Sequence, residues 1–236
     1  MAAAGFIGGG LWGLIPAFFK VKFNTNETLF TLMLNYIALS IVDMLKEGPW
    51  RDTRAQGFPK IARFDKNVQL HKVFGVQSGW ILALILIAVV FFYLKYSKHG
   101  YEISVVGESQ ETARYAGMNV SKIVLRTMMI SGGICGLAGM IQVSGTDATL
   151  TDSVAGGVGF TAIIVAWLAQ LDPLGILLVS FLFSVLEKGS SIVQSTYGLS
   201  TDCASVLQGI ILFFVLACEF YIRYKFVWRD RKGAKA

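Results

Sequence analysis

Charge is scarce in this chain. Asp, Glu, Lys and Arg together make up 15% of its 236 residues, against 54% hydrophobic residues. That balance is wrong for a water-soluble domain and right for a chain that crosses a membrane several times. Cysteine is scarce as well. Cys135, Cys203 and Cys218 lie in or beside apolar segments and form no C-x-x-C, so no disulfide framework is implied. The two histidines, His71 and His99, stand isolated, with no Cys or acid at ligand spacing on a shared helical face. No metal site is expected. G-x-x-x-x-G-K-[ST] does not occur. The glycine-rich Gly156-Gly157-Val158-Gly159 leads into an apolar pattern instead of a lysine, and reads as a turn or a close approach. With no G-x-S-x-G, no H-E-x-x-H and no acids clustered in the apolar runs, no catalytic residue and no cofactor is expected. The net charge of +6 is not a nucleic-acid signal, because the basic residues sit between and after the apolar runs. Met1–Ala4 is too short and uncharged to open a signal peptide.

What is present is a series of apolar runs. Gly5–Phe19 is apolar but short for a span, with Gly8, Gly9, Gly10 and Gly13 permitting close backbone approach or a bend, and Lys20 and Lys22 after it. Asn24–Glu27 supplies cap residues, Thr25 or Asn26, for a helix over Thr28–Met44. Gln77–Leu94 is uncharged, is closed by Lys95 and Lys98, and carries Trp80 and Tyr93 as interfacial anchors. Ile123–Val143 is a span whose Gly132, Gly136 and Gly139 fall on one helical face, small enough for another helix to press against. Gly157–Leu171 and Leu174–Leu186 are half-length segments around Asp172-Pro173, which suggests a tight helical hairpin or short buried helices. Cys203–Ile222 is the final span. The fold class is therefore all-α, a polytopic helical membrane protein with about six to seven membrane-embedded segments in the lipid bilayer. A transmembrane domain occupies residues 1–222, and a basic tail follows over 223–236. Glu47–Val76 is the one long hydrophilic loop, with room for a short helix or hairpin. Ser144–Gly156 and Glu187–Asp202 read as polar connectors.

Between two of these spans lies Val106–Asn119, VGESQETARYAGMN, a polar stretch that has to sit in water. Ser109-Gln110-Glu111 reads as a helix start, a hydroxyl to cap free amides and an acid near the positive end of the dipole. Ala113, Tyr115 and Ala116 give a short helix an apolar side, and Gly117 can end it. A short amphipathic helix tethered to the membrane face by a span on each side suits a groove on a soluble partner.

GESQETARYAGMN, followed by the small-residue run SGGICGLAG at Ser131–Gly139, resembles the cytoplasmic coupling loop of ABC importer permeases, in the branch related to ribose permeases that serves nucleosides and simple sugars. FTLMLNYIA at Phe30–Ala38, GVGFTAIIVAWLAQ at Gly157–Gln170, and the pair Pro173–Gly175 with Glu187–Ser190 resemble the same family in the same order. The resemblance covers nearly the whole chain. Permeases of this branch are usually longer, with further spans before the matched region, so the resemblance implies either a fragment or a short member whose missing spans come from elsewhere. It implies a separate ABC ATPase subunit, a second permease chain, an extracytoplasmic solute-binding protein, and location in the plasma membrane. It places the 97–122 loop in the cytosol and the 47–76 loop outside, and with the basic C-terminal tail taken as cytosolic, one crossing per apolar segment puts the 97–122 loop on the same side. Docking on the ATPase would fall to Glu108, Glu111, Ala113, Arg114, Tyr115, Ala116 and Gly117. Lysine and arginine placement favours the same orientation as a bias, with the 47–76 loop as the exception.

The solute path is less legible. Asn35, Gln142, Thr161 and Gln194 are polar groups in or beside apolar segments, and each either bonds to a neighbouring helix or faces a cavity. Asn35 is the first candidate, since a carboxamide can pair with a base edge or a sugar hydroxyl. Phe30, Tyr36, Phe160 and Trp167 have the shape to stack on a planar base, although an aromatic in a span more often packs. The predicted path is Asn35, Tyr36, Gln142, Phe160 and Thr161. The lack of a mid-span acid or base points to an uncharged solute. Two other readings stay open at this stage: an ATP-independent transporter or channel, and a truncated subunit without transport of its own.

Overall fold

The computed structural model describes residues 1–52, 59–64, 70, 72–73, 76–151, 154, 156–197, and the scattered positions 202, 206, 209–210, 213–214, 217–218 and 221. The basic tail and most of the final predicted span lie outside the described residues. The chain divides into two compact units, Met1–Gly156 and Gly157–Ala236.

The first unit is built on four helices long and apolar enough to cross a membrane: α1 (Ala2–Phe23), α2 (Glu27–Glu47), α3 (Gly79–Tyr96) and α6 (Val120–Gln142). Between α3 and α6 lie two shorter helices, α4 (Lys98–Glu108) and α5 (Gln110–Tyr115). Helix α1 is longer than its apolar run. It incorporates Lys20 and Lys22 in its last turn and ends at Asn24 in the left-handed region, so the expected short segment is a full-length one. Lysine side chains extend far enough to carry their charge clear of the apolar surface, so they need not stop the helix. The corner into α2 is tight. Asn26 caps it by accepting from the Thr28 and Leu29 amides, Lys20 pairs with Glu27, and Phe19 stacks on Phe30 at 4.8 Å between centroids.

The centre of the unit is an antiparallel seam between α1 and α6, the most extensive helix–helix contact among the described residues. Gly5 faces Gly136, Gly9 faces Gly132, and Gly13 faces the Met128 carbonyl. A Cβ at Gly9 would lie 2.8 Å from the Gly136 Cα, and one at Gly13 would lie 2.9 Å from the Met128 oxygen. Only hydrogen fits at these positions, and the small residues let the two backbones touch. Gly132 and Gly136 thus pack as expected. Gly139 does not, since it has open space where a Cβ would stand, and so does Gly8. The face predicted on α6 is one turn shorter than its glycines, because the α1 partner glycines end at Gly5.

The register fixes the sides. The end of α1 and the start of α6 share one face, together with the α1–α2 corner and the α3–α4–α5 connection. Met1 and the end of α6 share the other, where the Ser144 hydroxyl meets the Met1 sulfur at 3.7 Å. The long hydrophilic segment is on this second face. It carries an antiparallel bridge between Arg51 and Ile61 and a two-residue hairpin of β1 (Lys72–Val73) and β2 (Val76–Gln77). It is stitched to the residues after α6: Phe64 N–H donates to the Ala148 carbonyl, Leu70 N–H to the Ser144 carbonyl, and the Thr149 hydroxyl to the Ile61 carbonyl. Those residues begin with a π-helical turn, Val143–Asp147, which continues α6, so part of the expected polar connector is helical.

The second unit contains α7 (Val158–Leu168) and α8 (Pro173–Tyr197). Gly156 and Gly157, both at positive φ, make the turn into α7, so of the two expected readings, a turn or a close approach, the first two glycines form the turn, while Val158 and Gly159 are already helix. Gln170 and Leu171 both have positive φ and reverse the chain. Asp172 then caps α8 by accepting from the Gly175 amide at 3.0 Å, with Pro173 at the first helical position. Gly175 sits on Ala169, which closes the corner. At 11 residues α7 is short, but α8 at 25 residues is not half-length, and it runs through Glu187, Lys188 and Gly189. The stretch Glu187–Tyr197 is therefore helix, not a connector. It contains no proline to interrupt the backbone ladder, and the Ser195 and Thr196 hydroxyls donate back to the Ile192 carbonyl within the helix.

Across both units the spans keep large apolar side chains outward. Leu11, Leu84, Val89, Phe92, Leu178 and Phe181 are all exposed. This is the surface of helices whose solvent is hydrocarbon.

Candidate functional site

The site is assembled where α3 reaches the face of the first unit that carries the α1–α2 corner. Ser97 ends α3 and starts α4. Its hydroxyl donates to the Tyr93 carbonyl at 2.6 Å and accepts from the Gly100 amide at 3.0 Å. Gly100 is buried against the Leu94 carbonyl, with no room for a Cβ, so the reversal is sharp. Helix α4 is then pinned to α6. Arg126 donates to the Glu102 carboxylate at 2.7 Å, and His99 lies 3.5 Å from each of them. With Arg126 donating to Nε2, the His99 tautomer that fits carries its proton on Nδ1, toward Glu102. The Arg126 hydrogen bond holds the Glu102 carboxyl below the usual range. Partial burial acts against this, and His99 adds to it.

Ser109 separates α4 from α5 and caps the latter, accepting from the Thr112 amide at 3.3 Å. Glu111 stands in the first turn. Gly117, at φ 77°, ends the element, and the Met118 amide returns to the Ala113 carbonyl at 3.0 Å. The left-handed conformation asks for glycine here. Asn119 then caps α6 by accepting from the Lys122 amide. The predicted start and stop of the short helix are therefore both present.

The faces differ from expectation. Ala113 is fully buried, whereas Tyr115 is 93% exposed. They lie on opposite sides of α5, two residues apart, which on a helix is more than half a turn. Ala113 anchors α5 to its own chain and offers nothing to a partner. Glu108, Glu111, Arg114, Ala116 and Gly117 are exposed alongside Tyr115. Beside them a cleft of about 330 Å³, lined by Lys20, Asn24, Glu111 and Arg114 among others, joins α5 to the end of α1.

Within the first unit the predicted solute-path residues are not gathered. Asn35 and Tyr36 are exposed on α2. Both α2 and α6 begin at the same face. At 1.5 Å per residue, Asn35 lies about 12 Å along its helix and Gln142 about 33 Å along its own, so they are far apart in depth. Gln142 donates instead to Asp147 at 3.4 Å. Phe160 is exposed and Thr161 half-buried at the start of α7, in the second unit. Phe30 is occupied by its stack on Phe19.

Sequence reasoning missed the His99–Glu102–Arg126 cluster. Its signal was present, an arginine inside an otherwise apolar run, which demands a partner. No group of metal-ligating side chains occurs among the described residues.

Residues 1–216 match the family described as the permease component of branched-chain amino acid transport systems. The chain belongs to this permease family. Among curated proteins it is 27% identical over 250 residues to a glucose ABC transporter permease protein of Haloferax volcanii, covering 100% of this chain and 66% of the relative. It is 31% identical over 237 residues to a guanosine ABC transporter permease protein of Bacillus subtilis, covering 96% and 66%. It is 28% identical over 229 residues to a nucleoside ABC transporter permease protein of Lactococcus lactis, covering 92% and 62%. The chain thus spans slightly under two thirds of the length of these three relatives. No solved structure matches it. The all-α polytopic fold expected from the apolar runs agrees with this permease family membership and with the five span-length helices.

Proposed function

We propose that the chain is a membrane-spanning permease subunit of an ATP-binding-cassette importer for a nucleoside or simple sugar, and that α5 is its coupling helix. The observation that carries this is Tyr115, 93% exposed at the tip of a capped helix whose other side is buried in the permease. A large aromatic ring left uncovered on an otherwise polar loop suits a pocket on a soluble partner. Arg114 and Glu111 flank it as rim charges. Family membership and the relatives' printed transport of guanosine, nucleosides and glucose support the same reading.

In this reading ATP is bound and hydrolysed by a separate ATPase chain, and the permease is not an enzyme. ATP-driven closure moves α5. Because α4 is tied to α6 by Glu102 and Arg126, and α6 is locked to α1 by glycines, the displacement passes to the seam at the centre of the unit. A second permease chain completes the path, and an extracytoplasmic binding protein delivers the solute. The α5 face and the C-terminus are cytosolic, and the 47–76 loop is extracytoplasmic.

The test is Arg114→Glu in membranes containing the full transporter. It should abolish solute uptake while leaving membrane insertion intact. Normal uptake by this variant would remove α5 from the coupling role.

A further inference from the structure

Beside the coupling face is a second cleft, which borders the Glu102–Arg126 pair and, at its edge, Ala116 and Gly117. It measures about 470 Å³ and lies between α4 and the start of α6, lined by Lys98, Tyr101, Glu102, Lys122 and Arg126 among others. Its charges do not cancel. Glu102 is the only carboxylate on the lining and is already paired with Arg126. Lys98 and Lys122 are exposed and have no partner among the described ion pairs. The cleft therefore carries an excess of two positive charges.

A second crevice lies further along α6. It holds about 250 Å³ between α3 and α6, and its lining, which includes Leu94, Thr127, Ile130, Ser131 and Ile134, is almost wholly apolar. The two cavities share one ridge of α6. Lys122, Arg126, Ile130 and Ile134 follow at four-residue steps, which places them one above another. The basic pair sits at the helix start, at the membrane face. The apolar pair lies one and two turns deeper. Tyr101 at the mouth is exposed, as an interfacial aromatic is.

A basic cleft at headgroup level, with an apolar crevice at acyl-chain depth on the same ridge of α6, has the layout of one kind of molecule. We propose that it binds an anionic phospholipid, with the phosphate at Lys98 and Lys122 and an acyl chain along the α3–α6 crevice. A soluble anion would use the cleft and leave the crevice empty. An acidic side chain of a partner protein would do the same.

The test is native mass spectrometry of the full chain after exchange into phosphatidylglycerol or phosphatidylcholine. The chain should retain phosphatidylglycerol and shed phosphatidylcholine. Each lysine near an anionic headgroup contributes about five-fold in affinity, so Lys98→Gln with Lys122→Gln should weaken phosphatidylglycerol retention by about 30-fold. Lys60→Gln with Arg63→Gln, an equal loss of charge on the opposite face, should leave it unchanged. Ser131→Phe, which fills the crevice and spares the lysines, should weaken retention as well. Equal retention of the two lipids would overturn the proposal, as would an unchanged Lys98→Gln/Lys122→Gln variant. Retention that survives Ser131→Phe but is competed by inorganic phosphate would reduce the cleft to a site for soluble anions. Displacement of the lipid by an ATPase subunit added at stoichiometric concentration would assign the cleft to the protein partner. None of these outcomes depends on transport, so they stand apart from the coupling reading.

Discussion

The Glu102 carboxylate accepts from the Arg126 guanidinium at 2.7 Å, and this one bond fastens the surface helix α4 to the membrane helix α6. Both side chains are partly covered, Glu102 to 19% exposure and Arg126 to 30%. His99 closes the group. An arginine one and a half turns into a span needs such a partner, and the partner comes from an element whose own sequence gives no sign of membrane contact.

The pair makes the α4 attachment sensitive to acid. Glu102 titrates below the usual carboxylate range in the folded chain, mainly because of the Arg126 hydrogen bond. Its contribution is therefore fully present above the ordinary glutamate pKa, and it is lost as pH falls through the lowered value. Amide exchange across α4 in a detergent-solubilised sample should stay flat from neutral pH down to the ordinary glutamate range and should lose protection only at lower pH, relative to α1. Glu102→Gln should remove this step. An acid step that persists in Glu102→Gln would show that another group governs it.

The α1–α6 seam should tolerate no side chain. Gly132→Leu sets a branched group against the α1 backbone at Gly9 and Gly13, and should destabilise the first unit by about 1–3 kcal/mol in thermal or denaturant unfolding. Gly8→Ala and Gly139→Ala face open space on the same two helices. They should be neutral, or stabilising by up to about 1 kcal/mol through helix propensity. Equal losses at all three positions would mean that the seam is not the packing centre.

Tyr115→Ala should leave stability unchanged, because the ring is 93% exposed. Within the proposed importer it should weaken ATPase binding about tenfold or more, measured with the purified subunits. Ala113→Leu should show the converse, with disturbed folding of α5, since Ala113 is fully enclosed. A Tyr115→Ala chain that binds the ATPase at full strength would place the contact elsewhere.

Asp172 holds the first turn of α8 through the Gly175 amide. Asp172→Ala should cost about 1 kcal/mol and raise amide exchange at the start of α8, while Asp172→Asn should retain most of the cap.

Much of this was legible in the residues. The apolar runs gave the all-α membrane fold, because twenty or so residues without charge have no other stable environment. Local chemistry gave the boundaries of α5, the Asn26 cap and the turn at Gly157, each of which depends on side chains within three residues of the backbone group they serve. The errors fell where a helix outlasts its hydrophobic pattern. Lys20 and Lys22 at the end of α1, and Glu187 to Tyr197 in α8, are helical despite their polarity, because no proline breaks the backbone ladder there.

The pairing of elements was another matter. Glycines at i, i+4 and i+7 in α6 announced that something packs closely, but not that the partner is α1, nor that the contact stops short of Gly139. Periodicity names a face and leaves its neighbour open. Nor did it show that Ala113 turns inward while Tyr115 turns out, since both are apolar and only the position of α6 decides which side is covered. The ion pair between Glu102 and Arg126 joins residues in different helices, with α5 and two turns between them. The sequence by itself determined which stretches leave water and, where a capping residue or a glycine marks it, where a helix starts or stops. Only the tertiary structure decided which of them touch, because contacts between helices depend on how close two backbones can come, and that is set jointly by residues far apart in the chain.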